Sequence, residues 1–110
     1  MLTFLFYIPT NPNGSEYNNE LKDYHKAIND FNKAIEIDPK LVPTYNLRAF
    51  AYSELKDYDK AINDYGKAIE LDPKDAYVYN NLGYCFIKTG KLEAAKKQIE
   101  ISESLDNKNS

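Results

Sequence analysis

Apolar residues return along most of this chain at helical spacing. Tyr58, Ala61, Ile62, Tyr65, Ala68 and Ile69 follow steps of three, one, three, three and one, which places them along one side of an α-helix. The same stripe occurs once before, almost unchanged. Glu20 to Lys40 reads ELKDYHKAINDFNKAIEIDPK and Glu54 to Lys74 reads ELKDYDKAINDYGKAIELDPK, an offset of 34 residues at which only His25/Asp59, Phe31/Tyr65, Asn32/Gly66 and Ile37/Leu71 differ. Such identity marks an internal repeat. A third, weaker copy begins near Gly90, where Leu92, Ala95 and Ile99 stand at the same offset from Tyr58, Ala61 and Tyr65 and where the sequence drifts toward polar residues.

Asp38-Pro39 and Asp72-Pro73 punctuate the stripes, because the residue before a proline is pushed out of the α region. After each, a second stripe begins: Tyr45, Ala49 and Tyr52, then Tyr79, Leu82, Gly83 and Phe86. The pattern predicts helices at about 23–37, 42–55, 58–71, 76–89 and 92–105.

Two helices per 34-residue unit with a proline near the unit's end resemble the tetratricopeptide repeat. In the third unit Tyr79, Leu82, Gly83, Phe86, Ala95 and Ile99 stand at that family's signature positions, and in the second Tyr45, Ala49, Tyr52, Ala61, Tyr65, Ala68 and Pro73 do so. Arg48 replaces the usual Leu and Ala49 the usual Gly, both read as mild changes. Small residues are needed where two antiparallel helices approach closely, Gly83 or Ala49 against Ala95 or Ala61. The resemblance covers about residues 22–105 and implies an all-α, right-handed α-solenoid of antiparallel helix pairs.

The pattern fails at the N-terminus. The first unit's leading helix falls on residues 8–21, which read IPTNPNGSEYNNEL, and Pro12 and Gly14 do not suit a helix interior. Ser15 caps at most a two-turn remnant ending at Leu21. About two and a half units result, and the domain reading is an irregular apolar segment at 1–14, the repeat domain at 15–105 and a polar tail at 106–110. The helix at 23–37 then presents Tyr24, Ala27, Phe31 and Ala34 where a partner helix belongs. Either the stretch Leu2 to Ile8, with Tyr17 and Leu21, or a second molecule is expected to cover that face.

Composition narrows the function. A net charge of -3, with thirteen Lys and one Arg, leaves no basic stripe for nucleic acid. Met1 to Ile8 is far shorter than the roughly 20 apolar residues of a membrane span, and it lacks the basic flank and cleavage site of a signal peptide. Cys85 is the only cysteine, which suits a reducing, cytoplasmic setting. No nucleophile, base and orienting group converge in the pattern. His25 aligns with Asp59 on a solvent face, Cys85 reads as a structural thiol, and no metal spacing or phosphate loop occurs. The chain is expected to be non-enzymatic, without cofactor or metal.

In the resembled family the first helix of each unit lines a concave groove that receives a peptide or helix of another protein. Here that implies Asn46, Leu47, Phe50, Ser53 and Glu54 from one helix, and Tyr77, Asn80, Asn81, Tyr84, Ile87 and Lys88 from the next. Asn46 and Asn80 share a repeat position, and amides there suit the main-chain groups of an extended segment. The carboxylate clamp of chaperone cofactors is not implied, since only Asn81 matches it and Phe50 stands where an Asn is wanted. The alternative is a self-associating repeat segment that stacks on other repeats, with weak self-association through the incomplete first unit.

Overall fold

The computed structural model describes residues 15–109, with the side chains of 20–108. Its elements are five helices: α1 Ser15–Ile37, α2 Val42–Glu54, α3 Tyr58–Leu71, α4 Ala76–Lys88 and α5 Leu92–Asn109. Each packs on its neighbours in sequence, α1 on α2, α2 on α3, α3 on α4 and α4 on α5. This near-neighbour pattern is that of an all-α repeat stack. The core runs along it through Tyr45 and Ala49 of α2, Ala61, Tyr65 and Ala68 of α3, and Val78, Leu82 and Cys85 of α4.

Repeated local chemistry builds the turns. Inside the second and third units the first helix ends in a residue with left-handed backbone, Lys56 at φ 65° and Gly90 at φ 79°, at the same repeat position. Around Lys56 the bonds are Asp57 N–H to Tyr52 O and Lys56 N–H to Ser53 O, and around Gly90 they are Lys91 N–H to Phe86 O and Gly90 N–H to Ile87 O. Both are Schellman closures that satisfy the last helical carbonyls. Between units the Asp-Pro turns are tied twice. The Asp38 and Asp72 carboxylates accept from the N–H of Lys40 and Lys74, while the Tyr45 and Tyr79 hydroxyls donate to the carbonyls of Pro39 and Pro73 at 2.9 Å. Asp57 and Asp75 then cap α3 and α4, supplying acceptors for their first N–H groups.

The close approach inside each unit falls where the small residues are. Ala49 and Ala61 are fully buried. At Gly83 an added Cβ would lie 2.8 Å from Ile99 Cγ1 and 3.3 Å from the Ala95 carbonyl, so α4 and α5 touch backbone to backbone there.

Three expectations need correction. α1 does not begin at 23 after a separate remnant but runs unbroken from Ser15, although Glu20 to Tyr24 has the same sequence as Glu54 to Tyr58, which forms the turn between α2 and α3. The turn requires a non-glycine residue in the left-handed region, a cost of about 1–2 kcal/mol, and it is compensated by packing α2 onto α3. In α1 the uninterrupted helix satisfies the same backbone groups without that strain. α5 likewise extends to Asn109, so 106–109 is helical rather than a tail. The expectations for residues 1–14, and for cover by Leu2 to Ile8, lie outside the described residues.

The third correction concerns Arg48, whose replacement of an aliphatic residue is not mild. Its Nε and Nη2 donate to both Asp64 oxygens at 2.7 Å, and Nη1 donates to Asn32 Oδ1 at 2.7 Å. Its guanidinium also lies 5.9 Å from the ring centroids of Tyr45 and Tyr52. Asp64 is buried, and the hydrogen bond to it raises the Arg48 pKa further. Residues 32, 48 and 64 thus join α1, α2 and α3. One repeat later the same positions hold Gly66, Leu82 and Gln98, so the ionic network of one unit has no counterpart in the next.

Candidate functional site

α2 and α4, the first helices of their units, leave large apolar side chains in solvent. Phe50 is 44% and Tyr84 48% exposed, and Leu47, Tyr77 and Ile87 are exposed as well. Phe50 and Tyr84 occupy one repeat position, and each is held by the preceding unit. Tyr24 meets Phe50 edge-to-face at 6.3 Å, and Tyr58 meets Tyr84 in the same way at 6.5 Å. Edge-to-face pairs fix ring orientation. Lys88 Nζ sits 5.5 Å from the Tyr84 ring, which adds a cation beside that ring. The ring pairs recur from unit to unit, whereas Lys88 is replaced by Glu54 one repeat earlier, so the aromatic pairing is a product of the repeat and the cation is not.

The polar residues divide. Asn80 is exposed, whereas Asn81 and Ser53 are half-buried. Asn81 faces the Tyr65 phenol, and Ser53 Oγ lies 4.0 Å from Cys85 Sγ. Asn46 does not behave as the equal of Asn80: its Oδ1 is buried and accepts no hydrogen bond. α2 lies inside the stack, between α1 and the later helices, while α4 stands near its end, so one repeat position has two environments. Asn80 and Tyr77 line a cleft of about 380 Å3 against Glu103 and Asp106 of α5.

Three tyrosines and the cysteine here are shifted toward their neutral forms. Burial pushes Tyr65 and Cys85 upward, opposed at Cys85 by its contact with Ser53. Tyr58 rises through burial and then the neighbouring Tyr84, and Tyr24 through burial and then Glu54. A thiol shifted upward is a poor nucleophile. His25 is exposed. Among the described residues no group of three or more His, Cys, Asp or Glu could hold a metal, and no helix is long and apolar enough to cross a membrane. The surface offers apolar contact and amides. Sequence reasoning missed the Arg48–Asp64–Asn32 network behind this face, although a lone Arg on an apolar stripe is a usable signal.

Stacked helix pairs of 34 residues with these closures define a helical repeat protein. Models of the tetratricopeptide repeat match the chain over residues 14–41 and 76–109, over 31–63, and, as TPR repeat, over 51–90, and the chain belongs to that family. No curated protein matches the sequence. Among solved structures it is similar to MamA MSR-1, with TM-score 0.77 and 23% identity over 80% of this chain and 51% of that one. At that identity the likeness concerns the fold, and this chain spans about half the MamA length. It is similar to the first TPR of Spaghetti (RPAP3) bound to the HSP90 peptide SRMEEVD, with TM-score 0.75 and 29% identity over 87% and 75% of the two chains. The TPR2B domain of yeast Sti1 in its pHsp70 complex gives TM-score 0.75 and 26% identity over 86% and 75%.

Proposed function

We propose that this protein is a protein-interaction module that binds a peptide or helix of a partner on the face shared by α2 and α4. The observation that carries this reading is the pair of exposed, pre-oriented rings Phe50 and Tyr84 on the first helices of two units. Rigid aromatic side chains give contact area at low entropy cost, and Leu47, Asn80, Asn81 and Lys88 extend the surface with apolar and hydrogen-bonding contacts. The RPAP3 and Sti1 domains bind HSP90 and pHsp70 segments, which supports a segment-binding role here. A terminal-carboxylate clamp is a poor fit, because Phe50 occupies the place of a clamp Asn. Cys85, buried and free, suits a reducing compartment such as the cytoplasm.

The test is cross-linking capture of a partner by the whole chain, compared with Asn80→Ala and Tyr84→Ala. Capture lost in both variants while their melting curves match wild type supports this face; capture retained by both rejects it. Two groove helices bury at most about 1,200 Å2 in total, so affinity should be micromolar, about -8 kcal/mol or weaker.

A second reading is self-association through the first unit. Ala27, Phe31 and Ala34 of α1 are half-exposed, whereas Ala61, Tyr65 and Ala68, one repeat later, are buried by the neighbouring helices. Light scattering across a concentration series decides between a monomer and a dimer joined at α1.

A further inference from the structure

We propose that the outer face of α5, which adjoins the α2/α4 face at Tyr77, Asn80 and Ile87, is a second docking surface and that it takes a basic amphipathic helix from a partner protein. The repeat itself shows how a helix sits on such a face. α4 packs on α3 with Tyr84 against Tyr58 and Asn81 against Tyr65, just as Phe50 of α2 meets Tyr24 of α1. One repeat further, Leu92 and Ile99 of α5 stand in place of Tyr58 and Tyr65; Ile99 packs on α4 at Gly83, and beyond that contact no following helix covers the two among the described residues. Leu92 is accordingly 63% exposed. Two clefts follow this face: one of about 430 Å3 lined by Ile87, Leu92 and Ile99, the other of about 380 Å3 between Tyr77 and Asn80 of α4 and Glu103 and Asp106 of α5.

The chemistry of the occupant comes from what differs between α3 and α5. Gly66 and Ile69 of α3 become Glu100 and Glu103, and Ile62 becomes Lys96. With Asp106 beside the second cleft, the apolar floor carries three carboxylates toward the C-terminal end of α5 and one ammonium nearer its start. A helix docked as α4 docks on α3 runs antiparallel to α5, so its first turns meet the carboxylates. Its positive N-terminal end and lysines or arginines in those turns complement them, while an aromatic residue near its C-terminal end meets Leu92 as Tyr84 meets Tyr58. Opposite charges at the rim select the partner and set its register.

The test uses the full chain and a synthetic, end-blocked helical peptide patterned on α4. It carries Tyr at the Tyr84 position, Leu at the Val78, Asn81 and Cys85 positions, and lysines at the remaining positions of its first two turns; a second peptide carries glutamates there. Fluorescence polarisation should show micromolar binding of the lysine peptide, weakened by salt, with the glutamate peptide about fivefold weaker or worse. Glu100→Lys with Glu103→Lys, both exposed sites, should reverse that order, and Phe50→Ala should leave it unchanged. Equal binding of the two peptides, or binding of neither, overturns the proposal. Binding that Phe50→Ala abolishes and the charge reversal spares places the peptide on the α2/α4 face instead, which refutes this inference and leaves the first reading standing. Light scattering that shows a dimer dissociated by Glu103→Lys makes a second copy the occupant and also refutes it.

Discussion

Replacing Lys56 by glycine should stabilise the protein, although it removes a side chain from a turn. Lys56 sits at φ 65°, where a Cβ crowds the following carbonyl at a cost of about 1–2 kcal/mol. Glycine carries no such penalty, but it gains more freedom in the unfolded chain, which offsets about 0.5–1 kcal/mol of the relief. The net gain is about 0.5–1 kcal/mol. The protein contains its own reference, since the equivalent residue of the next unit is Gly90 at φ 79°, inside the same pair of closing hydrogen bonds. Gly90→Lys should therefore lose about what Lys56→Gly gains. In a domain of this size 1 kcal/mol moves Tm by about 4–8 °C, so Lys56→Gly should raise Tm by about 2–8 °C and Gly90→Lys should lower it similarly. Thermal melts followed by circular dichroism, with urea titration as a check, measure both. A lower Tm for Lys56→Gly would refute the reasoning, because the Lys side chain would then contribute more than the strained backbone costs.

Other consequences follow from the same packing. Arg48→Leu strands the buried Asp64 carboxylate and should cost about 3 kcal/mol, while adding Asp64→Gln, the combination found one repeat later, should restore most of it; urea titration of single and double variants gives the coupling. Ala61→Leu forces a branched side chain into the closest contact of α2 and α3 and should cost about 1–3 kcal/mol, which a thermal melt reports directly. Tyr79→Phe removes the hydroxyl that ties the turn at Pro73 and should cost about 1 kcal/mol, read from the urea midpoint. Tyr65 is pushed above the ordinary tyrosine pKa of about 10 by burial. Above that pH the unfolded chain releases a proton that the folded one keeps, so stability falls as pH rises past about 10. Melts at pH 9 and pH 11 should show a drop that Tyr65→Phe reduces.

The near-identity of Glu20–Lys40 and Glu54–Lys74 at an offset of 34 residues, with stripes at helical spacing and Asp-Pro stops, determined the fold class, and the helices from 42 onward start where the pattern places them. Small residues at 49, 61, 83 and 95 are legible for the same reason: interhelical distance limits side-chain size locally. The proposed face was read as a set of repeat positions, of which Phe50, Tyr77, Asn80 and Tyr84 are exposed. Asn46 was not separable from Asn80 by sequence, because burial depends on how many units stack on either side of a position. Nor was the Arg48 network, whose partners lie 16 residues away in each direction on other helices. The clearest case is Glu20–Tyr24 against Glu54–Tyr58, one pentapeptide that is helix in α1 and turn between α2 and α3. Its local preference is nearly balanced, so the outcome rests on the tertiary packing around it. That is a property of the assembled stack and of no segment read alone.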